Sequence, residues 1–295
     1  MTEPISIGTS TMPGLLYTRL MDKLGCLQKE GFPLNIGVDK IGEFTFMDCR
    51  LQERQGKNNK EAFDLIKNSI ASCLADIIVE EWEARIIRRI VRVNYFYYND
   101  EEKQAILNKA REVLNPGGYD SFQIRQRKEK VMEKILGYFE IHKDLILEGF
   151  INFRLKEYQN ELEEIVNSAV DEFMLEKEYM EFIRLLKYFV EIQEPRVDKI
   201  KIIFKKNGKF MMLDAHDRPF IHECLNGLMV DLLENDINYD DLLISALITL
   251  APRKVELHLE EGVEPGDTIR TILNVFGRKA TQCGGCRHCR PDWEE

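Results

Sequence analysis

The spacing of apolar residues changes along the chain, and each change predicts a different kind of structure. Residues 14–31 carry leucines at helical spacing and are followed by two strand-like runs, 34–38 and 44–49. From about residue 60 to 195, apolar residues recur every three or four positions, which is typical of amphipathic helices. This order predicts an α+β protein that is predominantly helical, with a long helical middle flanked by small α/β elements.

The helical middle divides into four predicted helices. They cover residues 61–98, 100–114, 121–149 and 155–190. Asn99 is suited to the N-cap of the second helix, because its side chain can accept a hydrogen bond from a free backbone N–H. The apolar stripe of the fourth helix shifts phase near Glu176, so this segment is either one long helix or two.

Strand-like patterns return beyond Pro195. Residues 200–204 and 210–213 predict two strands, and Asn207-Gly208 between them favours the tight turn of a β-hairpin near residues 200–214. Helices are predicted at 221–234 and 239–250, followed by a strand at 255–259 and a helix that Asp267 caps and that runs to Phe276.

These patterns divide the chain into four parts. They are a small α/β piece (1–55), a helical region (60–195), a second α/β region (196–280) and a cysteine-rich tail (281–295). We expect that the two α/β parts share one sheet, with the helices inserted between them.

The composition indicates a folded protein and narrows its partners. Hydrophobic residues make up 44% and charged residues 31% of the 295 residues, which argues against disorder of the whole chain. No run approaches the roughly 18 apolar residues of a membrane helix, and the first residues lack the basic and apolar pattern of a secretory signal. The net charge of −10 repels phosphates at long range and disfavours nucleic acid as a partner. We expect a cytoplasmic protein without a membrane segment.

The tail contains the most specific motif of the sequence, three cysteines at C-x2-C-x2-C spacing. Cys283, Cys286 and Cys289 can converge on one metal ion, because two intervening residues let the chain curl around it. Neighbouring arginines are expected to favour the thiolates. The spacing fits a zinc site, and it also matches the first three ligands of an iron–sulfur run. The alternatives are reduced thiols on a solvated tail and a redox or disulfide role.

The fourth ligand of such a site is left open by the sequence. The candidates are His288, Cys224, His222 and His216, a cysteine of the N-terminal piece, or a group from a partner chain. The remaining cysteines are expected to be small core residues.

A second candidate site is an arginine stripe on the first predicted helix of the middle. Arg85, Arg88, Arg89 and Arg92 share one side, and aromatic residues 95–98 follow them. Arginines next to aromatic rings are typical of nucleic-acid or anion binding. A solvated or salt-bridged helix face gives the same pattern, and Glu81 is placed to pair with Arg85.

Several segments of the second half resemble the YtxC-like family of sporulation proteins. They include residues 149–155, 169–173, 182–190 and 247–254, together with the closing cysteine triplet. The resemblance covers roughly residues 145–290 and implies a cytoplasmic role linked to sporulation in an endospore-forming bacterium. It implies no enzymatic activity and no assigned active site.

Three functional hypotheses follow. The first is a non-enzymatic interaction or regulatory protein, linked to sporulation, with an unknown protein partner and a zinc or iron–sulfur site in the tail. The second is a nucleic-acid-associated factor that uses the stripe from Arg85 to Arg92. The third is a metal-dependent enzyme with an open coordination position at the cysteines.

Overall fold

The structure is a computed structural model that describes residues 4–29, 32, 34–51, 59–116, 122–207, 209–219 and 239–290. The chain divides into two compact units, Met1–Met174 and Leu175–Glu295, and the boundary falls inside one long helix. In the described residues each unit contains a four-stranded sheet and several helices. The predicted α+β fold, predominantly helical, is confirmed.

The first unit is built on a sheet with the strand order β2-β3-β1-β4. Its strands are β1 (Ile5–Thr9), β2 (Leu34–Ile41), β3 (Phe44–Leu51) and β4 (Asp144–Ile146). Strand β1 is antiparallel to β3, with Ile7 opposite Met47, and parallel to β4, with Ile7 opposite Leu145. These three side chains are buried in the core of the unit.

Helices pack around this sheet. They are α1 (Pro13–Lys29), α2 (Asn59–Ile77), α3 (Glu83–Asn94), α4 (Asp100–Leu114), α5 (Phe122–Phe139), α6 (Leu147–Arg154) and α7 (Lys156–Ile192), which crosses the boundary. A π-helical turn, Ile78–Trp82, joins α2 to α3. Asn99 caps α4 as predicted, in a reciprocal arrangement with Glu102. Helix α7 is continuous, without a break at Glu176.

Two predictions for these parts were wrong. The helix predicted at 121–149 ends at Phe139, because residues 144–146 pair with β1 as strand β4 and α6 begins after them. The two α/β parts do not share a sheet, since each one builds its own.

The second unit contains a sheet with the order β6-β5-β7-β8. Its strands are β5 (Val197–Phe204), β6 (Phe210–Leu213), β7 (Pro252–Leu259) and β8 (Ala280–Gln282). Strands β5 and β6 form the predicted hairpin, in which Phe204 pairs with Phe210. Helices α8 (Tyr239–Leu250) and α9 (Asp267–Phe276) supply buried residues to the core of this unit. The helix predicted at 221–234 lies outside the described residues.

Two details of the second unit differ from the sequence prediction. Gly266, and not Asp267, is the N-cap of α9. Asp267 is the first residue of the helix, and no side-chain hydrogen bond forms at the cap. Strand β8 was not predicted, and it runs parallel to β7. Because parallel strands end at the same edge of a sheet, the residues after β7 and β8 lie close together.

None of the helices within the described ranges combines the length and the apolar character needed to cross a bilayer.

Candidate metal centre

Three thiols and one imidazole converge in the second unit. The ligand atoms of His258, Cys283, Cys286 and Cys289 all lie within 4.8 Å of one another. The Nδ1 atom of His258 is 3.2 Å from Sγ of Cys286 and 3.7 Å from Sγ of Cys289. Cys289 and His258 are buried, and the other two cysteines are partly exposed.

The pairing of β7 with β8 produces this convergence. Leu257 is opposite Gln282 in the parallel register, and the backbone N–H of Cys283 donates to the carbonyl of Leu257 over 2.8 Å. His258 and Cys283 each follow directly after this last pair, so they lie next to each other at the same edge of the sheet. At the other end of the cysteine segment, the N–H of Glu261 donates to the carbonyl of Cys289 over 2.9 Å.

The cysteine segment curls so that backbone N–H groups face the sulfur atoms. The N–H of Gly285 donates to Sγ of Cys283, and that of His288 donates to Sγ of Cys286, each over 3.4 Å. Gly285 has a φ of 126°, a conformation that residues with a Cβ rarely adopt. Hydrogen bonds of this kind stabilise negative charge on sulfur and therefore favour metal-binding thiolates.

The environment of His258 suits a neutral ligand. Burial lowers the pKa of His258, so the imidazole is uncharged at neutral pH and one ring nitrogen carries a free lone pair. With Nδ1 facing the thiols, the proton belongs on Nε2, which lies 3.4 Å from Oε2 of Glu256. This Nε2 is buried and its geometry does not complete a hydrogen bond. Glu256 is in turn held by Lys199 at 2.7 Å. It is the carboxylate nearest to Nε2, the position from which a carboxylate typically orients a metal-bound histidine.

The cysteines do not share one pKa direction. Burial raises the pKa of Cys283 to about 11. Burial acts in the same sense on Cys286, but the backbone N–H groups of His288 and Cys289 outweigh it and lower the pKa of Cys286. The side chains of Cys283 and Cys289 lower this pKa as well, whereas Arg287 pairs with Asp217 at 2.8 Å. Three thiolates this close repel one another, and a bound cation removes that repulsion.

The two distances from His258 to the sulfur atoms fit a single tetrahedral ion. Bond lengths of about 2.3 Å for Zn–S and 2.0–2.1 Å for Zn–N place sulfur and nitrogen ligands about 3.5 Å apart, and two sulfurs about 3.8 Å apart. The observed separations of His258 Nδ1 from the two sulfurs bracket the first value. In an iron–sulfur cluster the thiolates bind different iron atoms and spread more widely around it. Cys3His is an established ligand set of structural zinc sites.

The other candidate ligands lie elsewhere or are not described. Nε2 of His288 is 3.2 Å from Oδ1 of Asp217, and the side chain of His216 is exposed. His222 and Cys224 lie outside the described residues. Of the N-terminal cysteines, Cys26 is exposed, whereas Cys49 and Cys73 belong to the core of the first unit.

Sequence reasoning missed His258. The residue stands 25 positions before Cys283 in a predicted strand, and no local spacing connects the two. The available signal was the alternation in β7, which places His258 and Glu256 on one face and the buried Val255 and Leu257 on the other.

The structure separates the four arginines of the stripe. All four are exposed, and Arg89 differs in donating a hydrogen bond to Gln159 of α7 over 2.8 Å. Glu81 and Arg85 are both described by the structure, and they do not form the ion pair that the sequence suggested.

Comparison with known proteins gives one family. The model of the YtxC-like family matches residues 68–281, a range that ends just before Cys283. The chain is 24% identical over 218 residues to the uncharacterized protein YtxC of Bacillus subtilis strain 168, covering 72% of this chain and 75% of that protein. No solved structure matches the chain significantly.

Proposed function

We propose that this chain, which belongs to the YtxC-like family, is a non-enzymatic interaction or regulatory protein whose second unit is stabilised by a structural zinc ion. The ligands are His258, Cys283, Cys286 and Cys289. The observation that carries the proposal is the convergence of four ligand atoms within 4.8 Å, from two segments far apart in the chain.

Such an ion fastens the cysteine segment to the sheet. Two backbone hydrogen bonds already connect residues 283 and 289 to residues 257 and 261. Beside the segment, Asp217 forms ion pairs with Lys201 at 2.5 Å and with Arg287 at 2.8 Å. A tetrahedral bond set adds a link that is much stronger than these surface contacts.

A structural role is favoured over a catalytic one by the number of ligands. Catalytic zinc sites use three protein ligands and keep one position for water or substrate. Here the protein supplies four, so a bound ion has no free position. A cobalt-substituted protein should therefore keep its visible spectrum when azide is added, whereas a site with an open position should change colour.

The biological setting that we propose is the cytoplasm of an endospore-forming bacterium during sporulation. The resemblance of the second half to sporulation proteins supports it. Disrupting the gene in such a host should lower the number of heat-resistant spores without slowing vegetative growth. An unchanged spore count would contradict a role in sporulation. It would not bear on the proposed zinc site.

Metal analysis of the purified protein tests the zinc proposal. The chain should be purified without oxygen and without added metal, and its zinc and iron contents measured together with its absorption spectrum. We expect one zinc per chain and no visible absorption. A brown protein that contains iron and sulfide would instead indicate a cluster, and a metal-free folded protein would refute the proposal.

A further inference from the structure

A row of arginines on α3 faces solvent. Arg85, Arg88 and Arg92 are exposed, and none of them forms an ion pair with a residue that the structure describes. The opposite side of α3 places Ile86, Ile87 and Val91 in the core, so packing fixes which side faces outward. The row is therefore not the salt-bridged surface that such patterns usually indicate.

The row ends in a turn of aromatic residues, Tyr95–Tyr98. Phe96 is 72% exposed and Tyr97 is 63% exposed, and Val93 beside them is 61% exposed. The other two rings anchor the turn, because Tyr95 donates a hydrogen bond to Asn167 over 2.6 Å and Tyr98 packs edge-on against Phe173 at 5.7 Å. Exposed apolar patches of this kind mark interaction sites.

We infer that the surface formed by Arg85, Arg88, Arg92, Phe96 and Tyr97 binds single-stranded nucleic acid. The arginines would contact phosphates, and the two rings would stack on unpaired bases. We call this set the Arg–aromatic surface. It lies in the first unit and does not depend on the proposed zinc site.

The geometry favours a single strand over a duplex or an acidic peptide. Arg88 and Arg92 are one turn apart, about 6 Å along the helix axis, so successive phosphates of an extended strand can be contacted in order. The exposed rings require flat partners, which unstacked bases supply at every step and duplex bases do not. Carboxylates of a peptide satisfy the arginines but leave the rings without such partners.

Fluorescence anisotropy of the full chain tests the inference. The probes are fluorescein-labelled single-stranded DNA and RNA of mixed sequence and about 16 nucleotides, titrated at several salt concentrations. With three phosphate contacts, log K should fall against log salt with a slope of about −2. Comparison of the two probes tells whether RNA or DNA is preferred.

Variants separate the two parts of the surface. Arg88→Glu with Arg92→Glu should weaken binding at least about tenfold at low salt and flatten the slope to about −0.7, as expected for one remaining contact. Phe96→Ala with Tyr97→Ala should weaken binding at least about fivefold with the slope unchanged, because stacking is not ionic. Arg270→Glu, an exposed arginine of the second unit, is the matched control and should bind like the unchanged protein.

Three results would overturn the inference. They are no binding of either probe at low salt, affinity that neither double variant changes, and equal or tighter binding of a labelled polyglutamate peptide. The last result would assign the surface to an acidic protein partner. Thermal melting of each variant should match that of the unchanged chain, since all the replaced side chains are exposed.

Discussion

At the scale of single residues, the candidate metal centre includes a histidine that only the folded chain brings to the cysteines. His258 is 3% exposed, and its Nδ1 faces the sulfur atoms. His288 lies within the cysteine segment, yet its Nε2 faces Asp217. Proximity in sequence favours His288, whereas the direction of the ring nitrogens favours His258 as the proposed ligand.

Replacing each histidine tests this assignment. His258→Ala removes a ligand and should lower zinc affinity by at least about tenfold, because water is a poorer ligand than imidazole in a structural site. His288→Ala, the matched control, should retain zinc with nearly unchanged affinity. Competition with a chromophoric chelator measures both values. The reverse order of the two variants would show that His288 is the ligand.

Glu256 is expected to act through His258. A carboxylate that orients a ligating imidazole raises its affinity for the metal, and its loss typically costs 10- to 100-fold. Glu256→Gln should therefore weaken zinc binding by about that factor without changing the one-to-one stoichiometry. Glu264→Gln, an exposed residue of the same unit, serves as the control. Equal affinities in the two variants would rule out an orienting role.

At the scale of elements, a buried charge cluster connects four helices of the first unit. Glu83 of α3, 4% exposed, accepts hydrogen bonds from Arg127 of α5 at 2.8 Å and from the hydroxyl of Tyr158 of α7. Arg127 also donates to the carbonyl of Leu114, where α4 ends. Burial raises the pKa of Glu83, while Tyr158 and Arg127 oppose that effect.

Removing Arg127 should destabilise the first unit strongly. Arg127→Met leaves the carboxylate of Glu83 buried without its partner, which typically costs about 3–5 kcal/mol. Lys128→Met, which breaks more exposed ion pairs with Asp76 and Glu80, should cost less than about 1 kcal/mol. Chemical denaturation followed by circular dichroism measures both.

The deficit of Arg127→Met should also depend on pH. Arg127 opposes the rise that burial gives the pKa of Glu83, so Arg127→Met raises this folded-state pKa further, and the variant loses more stability than the unchanged chain as pH rises. The deficit should therefore shrink as pH is lowered toward the unfolded value of about 4.3. A deficit that grows on acidification would contradict this account.

The elements that could be predicted from sequence are those that local signals specify. The cap at Asn99, the hairpin around Asn207 and the apolar face of α3 depend on residues within one or two turns of each other. Strands β4 and β8 have three residues each and exist because they pair with β1 and β7 far along the chain. His258 could not be predicted as a ligand for the same reason, because the pairing of β7 with β8 brings it to the cysteines.

At the scale of the whole molecule, the two proposed activities belong to different units. The Arg–aromatic surface lies within Met1–Met174, and the metal centre lies within Leu175–Glu295. The match to the family model, residues 68–281, includes parts of both units. The acidic net charge of −10 disfavours general binding of nucleic acid, so binding should depend on the local arginines.

Removal of the metal should affect one unit selectively. Amide hydrogen exchange of the zinc-loaded protein should show protection at Cys283–Cys289 and at the ends of β7 and β8. A chelator should reduce that protection, because the ion stabilises only the folded arrangement of its ligands. Amides in α3 and α5 of the first unit should exchange as before. Loss of protection across both units would contradict a local structural role.

X-ray absorption at the zinc edge tests the central proposal most directly. The Cys3His assignment predicts three sulfur atoms at about 2.3 Å and one nitrogen at 2.0–2.1 Å around each zinc ion. The nitrogen shell should disappear in the His258→Ala variant and persist in His288→Ala. Four sulfur ligands, a shell dominated by oxygen, or scattering from neighbouring iron atoms in the purified protein would contradict the account.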